Sequence, residues 1–263
     1  MGKFYDAIPP ELVPWLLKQE LFWVATAPLS PDGHVNVSPK GVRDSFHVLD
    51  AHRVWYQDLT GSGAETVAHV RENGRVTLMF SAFEGPPRIV RLFGTGTIHE
   101  FGTKEYERLV PPEQRRPGSR AAIVVDVHKV GSSCGYAVPY YKFQGHRQAL
   151  LDYFAKQEAA DDFADGSLKA YWAKKNLQSI DGIQALRDAP NAERVPVTGE
   201  GMGKADAVAA GASGNGVSNV GSDGRGAGAA KVDRQRVQEW VVAFALGLAA
   251  AAVYVQVVGA VSL

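Results

Sequence analysis

A single cysteine, Cys134, is the whole thiol complement of these 263 residues. No intramolecular disulfide can form, and no cysteine-rich zinc site can be assembled. So few thiols fit a reducing compartment. A surplus of either charge is missing too: Lys+Arg and Asp+Glu both number 28, which removes the basic excess that nucleic-acid binding draws on. The N-terminus, MGKFYDAIPPELVPW, has no apolar core of the signal-peptide kind, so secretion by that route is not expected. No Gly-x-Ser-x-Gly elbow occurs. The histidines (His34, His47, His52, His69, His99, His128 and His146) do not fall at ligand spacing on one helix, so no metal site is expected. GEGMGK, Gly199 to Lys204, imitates a phosphate loop but follows no strand, and chance accounts for it.

What is present falls into three regimes. Residues 1–190 have the aromatics, Val-rich runs and turn signals of a globular domain. Residues 191–236 read as a flexible linker; between Gly199 and Ala230 there are 10 Gly and 8 Ala in 32 positions and no aromatic. Such a stretch has too little apolar surface to offset its ordering entropy. Residues 237–263 hold the run Val241 to Val261, whose one strongly polar side chain is Gln256. As a helix this run is about 31 Å long, close to the hydrocarbon thickness of a bilayer. Lys231, Arg234 and Arg236 precede it, which predicts a C-terminal transmembrane tail anchor with the globular domain in the cytosol. Its many alanines also suit a buried or dimer-forming helix of a cytoplasmic protein.

Within the first regime the patterns are mostly those of strands. Strands are predicted over 21–27, 35–38, 45–49, 53–58, 75–83, 88–100 and 121–130, with Gly94 and Gly96 bending the sixth as at a barrel corner. Short helices are predicted over 10–20, 60–71, 103–109, 146–156 and 167–176, the second stopped by Asn73-Gly74. The fold class is mainly β with flanking helices, a small antiparallel barrel.

Two turns carry candidate chemistry. Ser38-Pro39-Lys40-Gly41 ends a strand with a stiff turn that offers hydroxyl and ammonium donors. Thr60-Gly61-Ser62-Gly63 opens a helix: Thr60 or Ser62 is placed to cap it, and the glycines let bare amides approach an anion. An ordinary surface turn and an ordinary capped helix remain open for each. Cys134, in SSCGYAVPY, is open between a buried thiol and a reactive one.

Three blocks together, WVATAPLSPDGHVNVSPKG, DLTGSGAETVAHVRENGRVTLMFSAFEGPPRIVRLFGTG and SCGYAVP, resemble the pyridoxamine 5'-phosphate oxidase-like proteins, more narrowly an uncharacterised branch of them. The resemblance spans about residues 1–190. It implies a six-stranded split β-barrel, a homodimer, and FMN in two grooves at the subunit interface. It puts Lys40 close to flavin and substrate, with Ser38 beside it in the same turn. Tyr56 and Gln57, with Asp58 next in line, stand where a strand end meets the flavin ring. At the helix start the oxidase itself has Ser-Arg-Lys, where this chain has Ala64, Glu65 and Thr66. The phosphate grip then falls to Thr60, Gly61, Ser62 and Gly63, to Thr66, or to Arg88 and Arg91. The flavin-contacting glutamine after Arg88 is Ile89 here, and the arginine and histidine that hold the oxidase's substrate phosphate have no counterpart. The implied function is an FMN-dependent oxidoreductase acting on a small molecule other than pyridoxamine phosphate. The alternative is a non-catalytic flavin, deazaflavin or haem module tethered to a membrane.

Overall fold

The structure is a computed structural model and describes residues 2–198. The expected membrane span over 237–263, and the linker beyond residue 198, lie outside the described residues. Among the described residues no helix is long and apolar enough to cross a membrane.

Eight antiparallel strands form one sheet: β1 (Lys3–Tyr5), β2 (Phe22–Thr26), β3 (Asn36–Lys40), β4 (Phe46–Asp50), β5 (Arg53–Leu59), β6 (Arg75–Ser81), β7 (Arg88–Glu100) and β8 (Ser119–Cys134). Their order is β3-β2-β6-β7-β8-β5-β4, with β1 paired to β8 off this path. The expected count of six is therefore too low. Strand β1 has only 3 residues, too few to display an alternating pattern. It finds a partner because the 16-residue β8 outruns β5: β5 pairs with Ser119 to Asp126, and β1 with Val130 to Ser132.

The sheet curls until its ends share one core. Phe22 on β2 and Phe46 on β4 have ring centroids 5.4 Å apart, and Phe46 and Phe80 on β6 are at 5.0 Å. Buried aromatics of this size supply much of a small core's driving force. The bend foreseen at Gly94 is a register shift between Phe93 and Gly94, and a bulge of this kind increases local twist. A Cβ on Gly96 would collide with Val70, so glycine there lets a helix lie directly on β7.

That helix is α2 (Glu65–Asn73), one of five among the described residues with α1 (Val13–Leu17), α3 (Lys104–Leu109), α4 (Ala149–Ala159) and α5 (Leu168–Lys175). Gly74, with φ 73°, ends α2 in the left-handed conformation, as Asn73-Gly74 predicts. The start differs from expectation. The N-cap is Ala64, which has no polar side chain to cap with; Thr60 lies four residues earlier, and its hydroxyl donates to Gly118 O at 2.6 Å. The helix expected over 10–20 is a 3-10 turn at Pro10–Leu12 followed by α1.

One carboxylate makes several of the ties between the chain after α5 and the barrel. Glu100, at the end of β7, accepts the amides of Arg187, Asp188 and Ala189 at 2.8–3.0 Å and pairs with Arg71. Four donors offset the cost of burying this charge.

Candidate functional site

A cavity of about 1060 Å³ opens beside the ends of β3 and β5. Eight residues singled out from sequence line it: Ser38, Lys40, Gln57, Thr60, Gly61, Ser62, Gly63 and Thr66. Asp58 lies beneath its wall, fully buried. Tyr56, Arg88 and Arg91 are not among the lining residues. Strand alternation explains Tyr56, whose ring points into the barrel against Phe22 at 5.4 Å. Burial first, and then the charge of Asp58, push its hydroxyl well above the ordinary value of 10.0, with Arg120 opposing. The Arg88 guanidinium sits 5.7 Å over the Trp15 ring instead.

The floor of the cavity is an ion triad. Asp58 Oδ1 accepts from Lys40 Nζ at 3.0 Å, and Oδ2 from Arg120 Nε at 2.8 Å. Burial alone would raise the Asp58 carboxyl. The attraction and hydrogen bonds of Arg120 and Lys40 outweigh it, and the net shift is downward. Arg120 also donates to Gly63 O at 3.0 Å. It carries little sequence signal, being one charge at the head of the apolar run AAIVV. The register explains its reach. Asp58 faces Ala121 and Leu59 faces Ser119, so Arg120 is the extra residue of a bulge, and bulges re-aim side chains.

Backbone and side chains around the loop are divided by role. Thr60 lines the cavity, but its polar groups are committed elsewhere: its amide and hydroxyl both donate to Gly118 O, and its hydroxyl oxygen accepts from Trp172 Nε1 at 2.7 Å. Ser38 Oγ donates to Asn36 Oδ1, and Asn36 Nδ2 donates to Thr66 Oγ1 and Thr26 Oγ1. Thr26 Oγ1 in turn meets His69 Nδ1 at 3.0 Å; burial first lowers the pKa of His69, opposed by Asp181, Glu72 and Glu65. The Gln57 amide is held by Gln114 O and the Arg116 amide at 2.8 and 3.0 Å. Glu65 lines the cavity, and a Cβ on Gly63 would collide with its carboxylate.

Phe143, His146 and Arg147, on the irregular stretch between β8 and α4, complete the wall and were not foreseen. The helix expected from residue 146 begins only at Ala149, which leaves His146 and Arg147 on irregular chain. His146 Nδ1 lies 2.9 Å from Gly41 O, and its Nε2 lies 3.0 Å from Glu20 Oε2. Cys134 is exposed at the end of β8, which removes the buried-thiol reading. Among the described residues no group of three or more His, Cys, Asp or Glu is arranged to hold a metal ion.

A family model described as pyridoxamine 5'-phosphate oxidase matches residues 8–134. Among solved structures, HupZ of Group A Streptococcus is 25% identical over 48% of this chain and 99% of its own, with a TM-score of 0.40. An FMN-binding protein of Syntrophomonas wolfei subsp. wolfei is 12% identical over 50% of this chain and 84% of its own, with a TM-score of 0.33. The pyridoxamine 5'-phosphate oxidase family protein ustO of Aspergillus flavus is 39% identical over 199 residues, which is 72% of this chain and 80% of that protein. With that identity sustained over most of both chains, this protein belongs to the pyridoxamine 5'-phosphate oxidase family.

Proposed function

We propose that the cavity binds flavin mononucleotide, and that the protein is an FMN-dependent oxidoreductase acting on a small molecule. One observation carries this reading. Among the described residues, the amides of Gly61, Ser62 and Gly63 donate to no acceptor. A Cβ on Gly61 would meet nothing within 4 Å, so bare backbone faces open space. Unused amides just ahead of a helix suit a phosphate. The volume of about 1060 Å³ is ample for a mononucleotide.

Bound flavin would supply the two-electron redox chemistry itself. The chain's own residues bind and orient. Lys40, steadied by Asp58, brings positive charge to the wall, and Phe83, Phe143 and Leu150 give it apolar surface. Glu65 opposes an anion near Gly63 and sets a limit on affinity. Two barrels clasping the cofactor at their interface is the assembly this reading implies; exposed Val35 and Val37, beside and on the edge strand β3, give such an interface apolar surface. For residues 237–263 we keep the membrane anchor, with the barrel in the cytosol.

A second reading, a non-catalytic flavin, deazaflavin or haem module, is favoured by the pairing of Lys40. Its ammonium already shares the Asp58 carboxylate with Arg120, which leaves less of its charge for the ligand.

Purified full-length protein is expected to be yellow and to bleach anaerobically with NADH or NADPH. Colour without bleaching by any donor moves the assignment to the second reading. A colourless protein that takes up no added FMN overturns the first.

A further inference from the structure

We infer that Trp172 and Asn176, on the far side of the Thr60–Gly63 loop from the cavity, are positioning residues that turn its amides toward the ligand phosphate. The inference rests on the flavin reading above. Neither residue falls within 8–134, the part matched by the family model.

The two side chains are four residues apart, at the spacing that puts them on one side of a helix. Trp172 is on α5 and Asn176 is its C-cap, and both are fully buried. Trp172 Nε1 donates to Thr60 Oγ1 at 2.7 Å, and Asn176 Nδ2 donates to Gly61 O at 3.0 Å. Neither lines the cavity, whereas Thr60, Gly61, Ser62 and Gly63 all do. The loop therefore lies between α5 and the open space.

Peptide planarity supplies the rest. In a trans peptide the C=O and N–H point in opposite directions. With the Gly61 carbonyl held toward Asn176, the amide of Ser62, which belongs to the same peptide unit, must point away from α5. Gly63 O is likewise taken by Arg120, which fixes the next peptide but one. The outcome is a loop in which the Gly61 and Gly63 carbonyls are occupied by the protein while the amides of Gly61, Ser62 and Gly63 are not. Glycine makes this control necessary: Gly61 and Gly63 have no Cβ to restrict their dihedrals, so an untethered loop would turn carbonyl oxygens toward the anion as readily as amides. Trp172 fixes the stem. Its bond leaves the Thr60 hydroxyl to donate to Gly118 O, so that hydroxyl is engaged as both donor and acceptor and is held in place.

The test compares two ligands that differ only in the phosphate. FMN and riboflavin are titrated by fluorescence quenching into full-length wild type, Trp172→Phe and Asn176→Ala. Each variant is expected to bind FMN about tenfold more weakly, on the scale of one lost hydrogen bond plus the freedom regained by the loop. Riboflavin affinity should stay within about twofold, which also shows that the variant is folded. Equal losses for both ligands would make α5 a general structural support and overturn the inference. So would unchanged FMN affinity in Trp172→Phe, which retains most of the ring packing should Asn176→Ala fail to fold. Wild type that binds riboflavin and FMN equally, or neither, removes the phosphate reading of the loop itself, and the inference with it.

Discussion

Lys40 Nζ and Asp58 Oδ1 stand 3.0 Å apart, although their strands, β3 and β5, have β2, β6, β7 and β8 between them in the sheet. The bond crosses the seam where the sheet curls back on itself. Asp58 is fully buried and Lys40 mostly so, and Arg120 joins the same carboxylate from β8, so the triad carries one net positive charge. One carboxylate thus joins both ends of the barrel to the floor of the cavity.

Replacing Asp58 by Asn leaves two partly or wholly buried cations facing each other. A loss of about 3 kcal/mol in unfolding free energy is expected, the usual scale for breaking a buried pair, read by urea denaturation at neutral pH. The pH dependence has a definite sign. The Asp58 carboxyl is held below its ordinary value of 3.8, so the wild-type advantage is present above that value and is lost as pH falls through the lower, folded-state value. Stability curves of wild type and Asp58→Asn should converge on acidification; a constant gap would contradict the ion-triad account.

Lys40→Ala removes the cation shared by Asp58 and the cavity wall. FMN is expected to dissociate about tenfold more readily, or the reduction potential of the bound flavin to move, since a nearby cation favours the reduced, more negative ring. Spectroelectrochemistry together with fluorescence titration checks both. If neither quantity changes, Lys40 is a barrel-closing residue only.

Glu65→Gln should act in the opposite direction. Its carboxylate crowds Gly63 at the loop, and neutralising it removes a repulsion felt by any phosphate there. FMN binding should tighten severalfold at low ionic strength, and the gain should shrink with added salt. Weaker binding in the variant would mean that Glu65 contributes a contact of its own to the ligand.

Deleting residues 237–263 is expected to move the protein from the membrane fraction to the supernatant, with flavin content per barrel unaltered. Full-length protein recovered entirely in the supernatant would end the anchor proposal.

Most barrel strands were legible because alternation is local. Arg75–Ser81 and Arg88–Glu100 lie where the apolar pattern and the flanking turns put them. Asn73-Gly74 marked its helix end for a similar reason, since a left-handed residue is a property of one dihedral pair. The start of α2 was less legible. Whether Thr60 caps a helix depends on what else its hydroxyl can reach, and Gly118 and Trp172, 58 and 112 residues away, reach it first. Arg120 was missed on the same grounds: a bulge defined by pairing with β5 aims it. Phe143 falls between predicted elements, and His146 falls in a predicted helix that starts only at Ala149.

The chain's own order of residues determined the strand-rich barrel, its family, the absence of disulfides and the glycine loop. These follow from period, composition and short motifs, which a linear string carries in full. Tertiary structure alone decided that Asp58 is a buried counter-ion, that Tyr56 faces the core and Lys40 the cavity, and that α5 holds the loop from behind. Each of those depends on which distant groups compete for the same hydrogen bond or charge, and that competition exists only once the sheet has closed.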